Sequence, residues 1–226
     1  MSFQIAIDGP AGAGKSTIAR KVAKQKGFIY VDTGAMYRAM AYYLLSKKVS
    51  PKDAQAIEEN CQNADITICY EEGEQVVLLN GENVNEVIRS EAVGNMASAS
   101  SPNPKVRERL TLLQKELAKT NNVVMDGRDI GTCVLPDADV KIYLTASSKV
   151  RAKRRFDELC AKGMSCDIEQ IEADIIKRDE QDMTRKVAPL KQAEDAVLLD
   201  SSHMTIDEVA GAILDLCEKR EKGKEL

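Results

Sequence analysis

An eight-residue pattern near the amino terminus restricts the folds open to this chain. Residues 9–16 read Gly-Pro-Ala-Gly-Ala-Gly-Lys-Ser, which fits G-x-x-x-x-G-K-[ST]. A short apolar segment, Phe3 to Ile7, precedes the pattern, and Ser16 to Lys26 follows it with apolar residues at helical spacing, ending at Gly27. A strand, a glycine-rich loop and a helix in this order direct backbone N–H groups and the positive end of the helix at a phosphate group. The pattern therefore predicts a phosphate-binding loop on an α/β scaffold.

The remaining sequence predicts a parallel sheet with one interruption. Phe28 to Val31 is typical of a strand and Ala35 to Lys48 of a helix, so strands and helices alternate. From Ile66 to Val84 three short strands follow one another with an Asn-Gly turn, which predicts a small antiparallel insertion. Further elements are expected as helices at Val106–Lys119, Ser147–Lys162 and Ile168–Gln181, strands at Val123–Met125, Val140–Leu144 and Ala196–Leu199, a short helix starting at Ser50-Pro51, and a closing helix capped by Thr205 and Glu208.

Charge and hydropathy exclude several classes of protein. The 32 Lys and Arg against 36 Asp and Glu give a net charge of −4, which argues against a protein that binds a nucleic acid polymer or a membrane surface. The longest unbroken apolar run, Ala39 to Leu45, is far too short to cross a bilayer, and the amino terminus lacks the basic flank of a secretion signal. The sequence predicts a folded, cytoplasmic protein whose anion site is built locally.

The cysteines and the single histidine limit the chemistry. There is no C-x-x-C pair and no histidine near a cysteine, so neither a zinc site nor a redox motif is indicated, and we expect buried, reduced thiols. With His203 as the only histidine, histidine-based triads and histidine-rich metal sites are disfavoured. The chemistry is therefore expected to rest on Lys, Arg, Asp, Ser and Thr. The cysteines are Cys61, Cys69, Cys133, Cys160, Cys166 and Cys217.

The second half of the chain separates several kinds of phosphate-loop protein. GTPases add D-x-x-G and N-K-x-D patterns, and neither occurs here. Arginines that could neutralise two phosphate groups are concentrated in this half, at Arg128, Arg151, Arg154, Arg155, Arg178 and Arg185. A monophosphate acceptor is mostly dianionic at neutral pH and needs no general base, so phosphoryl transfer to a nucleotide fits this composition. Solvated helix faces explain Lys153 and Arg154 equally well.

Four motifs resemble, in order, those of the bacterial cytidylate (CMP) kinases, which are P-loop nucleoside monophosphate kinases. The resemblance extends over essentially the whole chain. One departure is Thr33, where some relatives carry serine, and this change keeps the hydroxyl group. The motifs are Ile7 to Thr17, Asp32 to Arg38 (DTGAMYR), Asp126 to Thr132 (DGRDIGT), and Arg178 to Arg185 (RDEQDMTR) with Ala188-Pro189-Leu190.

The resemblance implies a fold and a reaction. The fold would be an α/β P-loop kinase with a parallel core sheet flanked by helices, a small antiparallel insertion in the monophosphate-binding region and a helical lid. The core would comprise residues 1–36, 101–149 and 183–226, the monophosphate-binding region residues 37–100, and the lid residues 150–182. The implied reaction is transfer of the γ-phosphoryl group of ATP to CMP or dCMP, giving ADP and CDP or dCDP. Mg²⁺ would accompany ATP, and the enzyme would be a cytoplasmic monomer of pyrimidine metabolism.

The resemblance also implies roles for individual residues, which their chemistry supports. ATP would be bound by Gly9, Pro10, Ala11, Gly12, Ala13, Gly14, Lys15, Ser16 and Thr17, with Ser16 holding Mg²⁺ through ATP. Lys15, Arg128 and Arg185 would be catalytic. CMP would be bound at its phosphate by Thr33, Arg38, Arg128 and Arg185, and at its base by Ser98, Arg107 and Asp129. Arg178 and Asp182 match the family's ribose and lid positions and would also bind CMP. Arg178 and Arg185 are seven residues apart, so both face the same side if the segment is helical.

Some residues allow two interpretations. Ser98 reads the base or is a small residue at a helix end. Asp126 orients a water bound to Mg²⁺ or braces the turn that follows a strand. Tyr37 stacks on the substrate or packs in the core.

Overall fold

The computed structural model describes residues 2–71 and 73–223, and the chain forms two compact units. The first unit contains residues 3–29 and the chain from residue 122 onward, and the second contains Ser2 and residues 30–121. Met1, Glu72 and residues 224–226, the last of which belong to the core region expected from the sequence, lie outside the described residues.

The helices and strands of the described residues follow the alternation expected from the sequence. In chain order they are β1 (Gln4–Asp8), α1 (Lys15–Lys26), β2 (Ile29–Asp32), α2 (Thr33–Ser46), α3 (Ala54–Cys61), β3 (Ile66–Glu71), β4 (Glu74–Leu79), β5 (Glu82–Asn83), α4 (Glu91–Ser100), α5 (Pro104–Thr120), β6 (Val123–Gly127), β7 (Val140–Thr145), α6 (Ser148–Ala161), α7 (Ile168–Thr184), β8 (Val197–Asp200) and α8 (Ile206–Glu221). A 3-10 turn at Val87–Arg89 and a π-helical turn at Ile130–Val134 complete them.

A five-stranded sheet in the order β2-β6-β1-β7-β8 forms the framework of the fold. β1 pairs in parallel with β6 and β7, and β7 pairs in parallel with β8. The central strands are buried, with Ile5, Ile7 and Ile142 almost inaccessible to water, which is why they read as continuous apolar runs. Because Asp8 is in register with both Gly127 and Tyr143, the carboxyl ends of β1, β6 and β7 lie at one edge. The predicted α/β fold with a parallel sheet is confirmed.

The phosphate-binding loop joins that edge of the sheet to α1. Gly14, just before the helix, has φ 87°, and Gly27, just after it, has φ 66° and donates its N–H to the carbonyl groups of the last turn. One face of α1, with Ile18 and Val22, is buried in the first unit. The strand, loop and helix predicted from the sequence are therefore all present.

The second unit packs four helices with a small antiparallel sheet. β3 pairs with β4 and β4 with β5, as the alternating pattern from Ile66 to Val84 predicts. The core of this unit is formed by fully buried aliphatic and methionine side chains from α2, β3, the 3-10 turn and α5: Met36, Met40, Leu44, Ile66, Ile88 and Leu110.

Two local predictions, one for this unit and one for the cysteines, are wrong, and one helix was not predicted. The helix expected from Ser50 begins instead at Ala54, because the Asp53 carboxylate accepts the N–H of Ala56 at 3.0 Å and caps the helix there. Helix α4 was not expected from the sequence, because its small and polar residues lack a wide apolar face. Of the six cysteines, Cys61 and Cys217 are buried, whereas Cys160 is exposed.

No helix among residues 2–71 and 73–223 is long and apolar enough to cross a membrane.

Gly9 is expected to be indispensable to the first unit. Its φ is 151°, and a Cβ atom at this position would lie 1.9 Å from the carbonyl oxygen of Leu144 on β7. Gly9→Ala should therefore lower the free energy of unfolding by about 3 kcal/mol or more, because the backbone of β7 has to move. Urea denaturation measures this loss.

Gly211→Ala is the matched control, because Gly211 lies inside α8 and a methyl group there would meet no atom within 4 Å beyond the backbone of its own helix. This substitution should raise stability by about 0.5–1 kcal/mol. Equal stability of Gly9→Ala and the unsubstituted protein would contradict the close approach of the loop to β7.

Candidate active site

Lys15, the last loop residue and the first of α1, is a buried cation. Its side chain is almost fully covered, with 6% of the residue exposed, and Nζ donates a hydrogen bond to the Pro10 carbonyl oxygen at 2.8 Å. Burial and the charge of Arg128 lower the pKa of Lys15 to about 7, against the opposing effect of Asp126, Asp8 and then Asp182. The neighbouring carboxylates therefore compensate the charge of Lys15 only in part. A bound anion would supply the missing negative charge.

Asp8 at the end of β1 is one of the carboxylates near Lys15. Its two oxygens accept the backbone N–H groups of Ile130 at 2.8 Å and Gly131 at 2.7 Å, so the strand is tied to the π-helical turn. Burial raises the pKa of Asp8 to about 6, although these two hydrogen bonds and Lys15 lower it. Asp8 is therefore mainly ionised above neutral pH and stabilises the charged form of Lys15.

Ser16 and Asp126 place two oxygen atoms beside the loop. The Ser16 hydroxyl donates to Asp126 Oδ2 at 2.9 Å, and Asp126 is buried at the end of β6. A hydroxyl group and a carboxylate are the hard oxygen ligands that Mg²⁺ takes in phosphate-binding sites, where phosphate oxygens and water supply the rest. Ser16 therefore fits the Mg²⁺-binding role that the sequence assigns to it. Asp126, which is hydrogen-bonded to Ser16, fits the same role.

Arg128, Arg185, Asp129 and Asp182 form a second charged cluster in the first unit. Asp182 Oδ2 accepts from Arg128 Nε at 2.7 Å, and Oδ1 lies 3.5 Å from Arg185 Nη1. Arg185 Nη2 is also 3.5 Å from Asp129 Oδ1, and both side chains of that pair are 7% exposed. The 3.5 Å contacts are long for charge-assisted hydrogen bonds, so these carboxylates hold the Arg185 guanidinium loosely.

Arg185 is the residue that directly follows α7, the helix that contains Arg178. α7 ends at Thr184, and Arg185 follows it with extended backbone angles, φ −60° and ψ 142°. Its Nε donates to the Ala188 carbonyl oxygen at 2.7 Å, which turns the side chain back toward the segment after the helix. Arg178 lies within α7 and is exposed. The segment is helical up to Thr184, as the seven-residue spacing argument assumes, and a common side for Arg178 and Arg185 stays a prediction.

Arg151 and Asp179 brace the loop, a role that sequence reasoning missed. The Arg151 guanidinium donates from Nη1 to the Ala11 carbonyl oxygen at 2.9 Å and from Nε to Ala146 at 2.9 Å, while Nη2 pairs with Asp179 at 2.6 Å. Both charged residues are buried. The Cβ of a residue at Gly12 would lie 3.3 Å from Arg151 Cβ, so the loop glycine allows this approach. The pair links the loop to α7.

A cavity of about 590 Å³ opens beside the loop within the first unit. It is lined by loop residues, by Arg151, Arg154 and Arg155 of α6, and by the turn from Ser201 to Ile206 that leads into α8. Arg154 is held there by Ser201, whose carbonyl oxygen accepts from Nη2 at 2.7 Å. The volume is in the range of small-molecule sites. Arg154 is thus a cavity residue, whereas Lys153 pairs with Asp157 on the exposed side of α6.

In the second unit, Arg38 is positioned by the segment before α4. Its Nη1 donates to the Ile88 carbonyl oxygen at 2.9 Å and lies 3.5 Å from that of Ser90. Gly94 leaves room for the guanidinium group, since a Cβ there would lie 3.3 Å from both terminal nitrogens. Arg38 is half-buried, so its charge is fixed but accessible.

The other predicted residues of the second unit differ in exposure. Arg107 is buried, donates to the Ser101 carbonyl oxygen at 3.2 Å and lies over the ring of Tyr37 at 5.5 Å. Thr33, at the start of α2, is buried, and Ser98 on α4 is exposed. In this structure Tyr37 thus packs on an arginine that the sequence assigns to base recognition.

Among solved structures, an uncharacterized protein from Eubacterium ventriosum is similar to this chain with a TM-score of 0.53. The similarity covers 97% of this chain and 99% of that protein, at 13% sequence identity. At this identity the likeness shows the fold alone.

Sequence comparison gives the family. The family model for cytidylate kinase matches residues 5–219. The cytidylate kinase of Caldicellulosiruptor bescii is 52% identical over 217 residues, covering 96% of each chain, and that of Geobacillus sp. (strain WCH70) is 48% identical over 219 residues, covering 97% of this chain and 98% of the relative. This chain, with its phosphate-binding loop and its paired charged clusters, belongs to the cytidylate kinase family.

Proposed function

We propose that this protein transfers the γ-phosphoryl group of ATP to CMP or dCMP, giving ADP and CDP or dCDP. The observation that carries the proposal is the buried Lys15, which the loop places among carboxylates and arginines at the edge of the sheet. Membership of the cytidylate kinase family supplies the class of acceptor.

ATP binds through the loop from Gly9 to Thr17 in this proposal. Backbone N–H groups at the start of α1 face the phosphates, and Lys15 contributes its charge to the group that is transferred. The cavity beside the loop takes the nucleoside part of the donor, because it is large enough and opens directly from residues 12–18. Gly9 and Gly12 keep the loop close to β7 and α6, so its amides are preorganised.

Ser16 and Asp126 are the residues that would hold Mg²⁺ together with the phosphates. When bound, Mg²⁺ supplies positive charge that neutralises the phosphate oxygens. Within the chain itself, Asp126 accepts the Ser16 hydroxyl and so fixes its direction.

Arg128 and Arg185 neutralise the negative charge of the phosphoryl group while it is transferred. Arg128 is held by Asp182 at 2.7 Å, so its guanidinium group is in place before substrate binds and needs little reorganisation. The long contacts of Arg185 to Asp182 and Asp129 leave this side chain able to exchange a carboxylate oxygen for a phosphate oxygen. Residues 150–182 act as the lid, and its closing excludes the water that would otherwise hydrolyse ATP.

Three parts of the acceptor, its phosphate, its base and its ribose, are each contacted by a separate set of residues. Thr33 and Arg38, with Arg128 and Arg185, bind the phosphate of CMP. Asp129, Ser98 and Arg107 read the base, because cytosine presents an amino donor at C4 and acceptors at N3 and O2. Arg178 and Asp182, which belong to the lid, contact the ribose. The buried carboxylate of Asp129 is the group suited to the C4 amino donor.

A panel of acceptors tests the proposed reaction. The purified protein is assayed with ATP and Mg²⁺ against CMP, dCMP, UMP, AMP and shikimate, and ADP release is recorded. We expect CMP and dCMP to have the highest kcat/KM, and Lys15→Ala, assayed as the inactive control, to lose about 10²-fold or more in kcat while remaining folded.

Two outcomes would contradict the proposed reaction. Preference for UMP, AMP or shikimate would assign another acceptor to the same scaffold. Nucleotide binding without transfer to any acceptor would make the protein a binding module.

Asp129→Ala tests how the base is read. Uracil carries a carbonyl acceptor in place of the C4 amino donor, so the Asp129 carboxyl group, whose oxygens accept hydrogen bonds, favours CMP over UMP. The substitution should lower kcat/KM for CMP about 10²-fold more than for UMP, while ATP affinity without acceptor stays unchanged. Equal losses for the two acceptors would show instead that Asp129 acts through Arg185, whose Nη2 lies 3.5 Å away.

A further inference from the structure

Two cysteine thiols lie against each other where α6 is connected to α7. The Sγ atoms of Cys160 and Cys166 are 3.9 Å apart, and Cys166 Sγ is also 4.0 Å from the Phe156 carbonyl oxygen on α6. Cys160 is exposed and Cys166 is half-buried. The side chain of Cys166 therefore packs on the last turns of α6, next to an accessible thiol.

The backbone between the two cysteines holds this contact. Gly163 has φ 73° and donates its N–H to the Cys160 carbonyl oxygen at 2.9 Å, and Met164 donates to Leu159 at 3.1 Å. These hydrogen bonds end α6 and reverse the chain. Asp167 then caps α7 by accepting the N–H of Glu169 at 2.8 Å. Both thiols are thus held by a turn that is fixed at its two ends.

We propose that Cys160 and Cys166 are the site of a reversible intramolecular disulfide, formed with a low-molecular-weight disulfide as the oxidant. The Cys160 thiolate attacks one sulfur of the oxidant RSSR, which forms a mixed disulfide and releases one thiolate RS⁻. Cys166 then attacks Cys160 Sγ, the Cys160–Cys166 bond forms, and the second RS⁻ leaves. Two electrons pass from the protein to the oxidant, and the two thiol protons end on two molecules of RSH.

The order of attack follows from the surroundings of the two sulfurs. Cys160 is the accessible thiol and meets the oxidant. Burial, and then the adjacent Cys160 thiol, raise the pKa of the Cys166 thiol. A smaller fraction of Cys166 is therefore thiolate, so it attacks the dissolved oxidant less readily. Its proximity to Cys160 compensates in the second step, because that step is intramolecular.

The other cysteines differ in position. Cys61 and Cys217 are buried, and burial raises the pKa of both thiols, Cys217 to about 11. Cys69 lies in β3 and Cys133 in the π-helical turn of the first unit. These four thiols are expected to stay reduced, so they serve as internal controls for selective oxidation of Cys160 and Cys166.

The test is equilibration of the full-length protein with mixtures of oxidised and reduced glutathione. After an acid quench, the thiols are counted with a maleimide in denaturant, and the disulfide is located by peptide mapping. We expect the count to fall from six to four, with one bond between Cys160 and Cys166. In urea the same equilibrium should favour this disulfide at least about tenfold less, because the fold, not only the short spacing, holds the sulfurs together.

Single variants separate the two steps. Cys166→Ser should accumulate one glutathionyl group on Cys160, and Cys160→Ser should retain a reduced Cys166. Cys69→Ser, as the matched control, should still form the disulfide. The proposal is overturned if the unsubstituted protein stops at a mixed disulfide, if it forms a disulfide that joins two chains, or if the folded and urea-unfolded forms give the same equilibrium.

Discussion

The burial of the Lys15 ammonium group is the constraint on which the rest of the first unit depends. Moving an ammonium ion from water into a protein costs several kcal/mol unless partners compensate for the lost hydration. The Pro10 carbonyl oxygen supplies one hydrogen bond, and Asp8, Asp126 and Asp182 supply negative charge. These partners do not compensate fully, because burial and Arg128 still lower the pKa of Lys15 to about 7. Keeping such a buried ammonium group lowers the stability of the unliganded protein. A bound phosphate supplies the negative charge that the site lacks.

Helix α7 connects the loop to the arginine cluster. Asp179 and Asp182 are three residues apart and lie near each other on the helix surface. Asp179 pairs with Arg151, which donates to the Ala11 carbonyl oxygen of the loop, while Asp182 pairs with Arg128. Removing one partner of the buried Arg151–Asp179 pair should cost about 3–5 kcal/mol, since the other charge is left alone. In this structure charged contacts therefore hold α7 against the loop.

The sequence predicted those features that depend on neighbouring residues. The loop, α1 and the capping box of Thr205 and Glu208 are all local, and the structure contains each of them. The start of α3 was wrong because Ser50-Pro51 and Asp53 are competing local caps, and the sequence does not show which carboxylate or hydroxyl reaches a helix N–H group. The end of α7 at Thr184 has no glycine or proline to mark it.

Features that depend on distant residues could not be predicted. Arg151 resembled any charged residue of an exposed helix, yet it is buried against Ala11, 140 positions away. The requirement for Gly9 comes from the Leu144 carbonyl oxygen on β7, which no local pattern contains. The thiol contact of Cys160 and Cys166 depends on a turn, and the composition of the chain suggested buried cysteines instead. The four family motifs indicated which residues act, and the structure added what holds Lys15, Arg128 and Arg185 before substrate arrives.

Proton uptake on nucleotide binding tests this account of Lys15 most directly. ADP binding without acceptor is measured by calorimetry at pH 8 in two buffers with different ionisation enthalpies. With a pKa of about 7 Lys15 is mostly neutral in the unliganded protein at this pH, and the phosphates next to it favour the ammonium form, so binding should take up roughly one proton. The uptake should shrink as the pH is lowered through 7, and Lys15→Arg should show none at pH 8, because guanidinium stays protonated. A binding enthalpy that is independent of the buffer, or equal uptake by Lys15→Arg, would contradict the account.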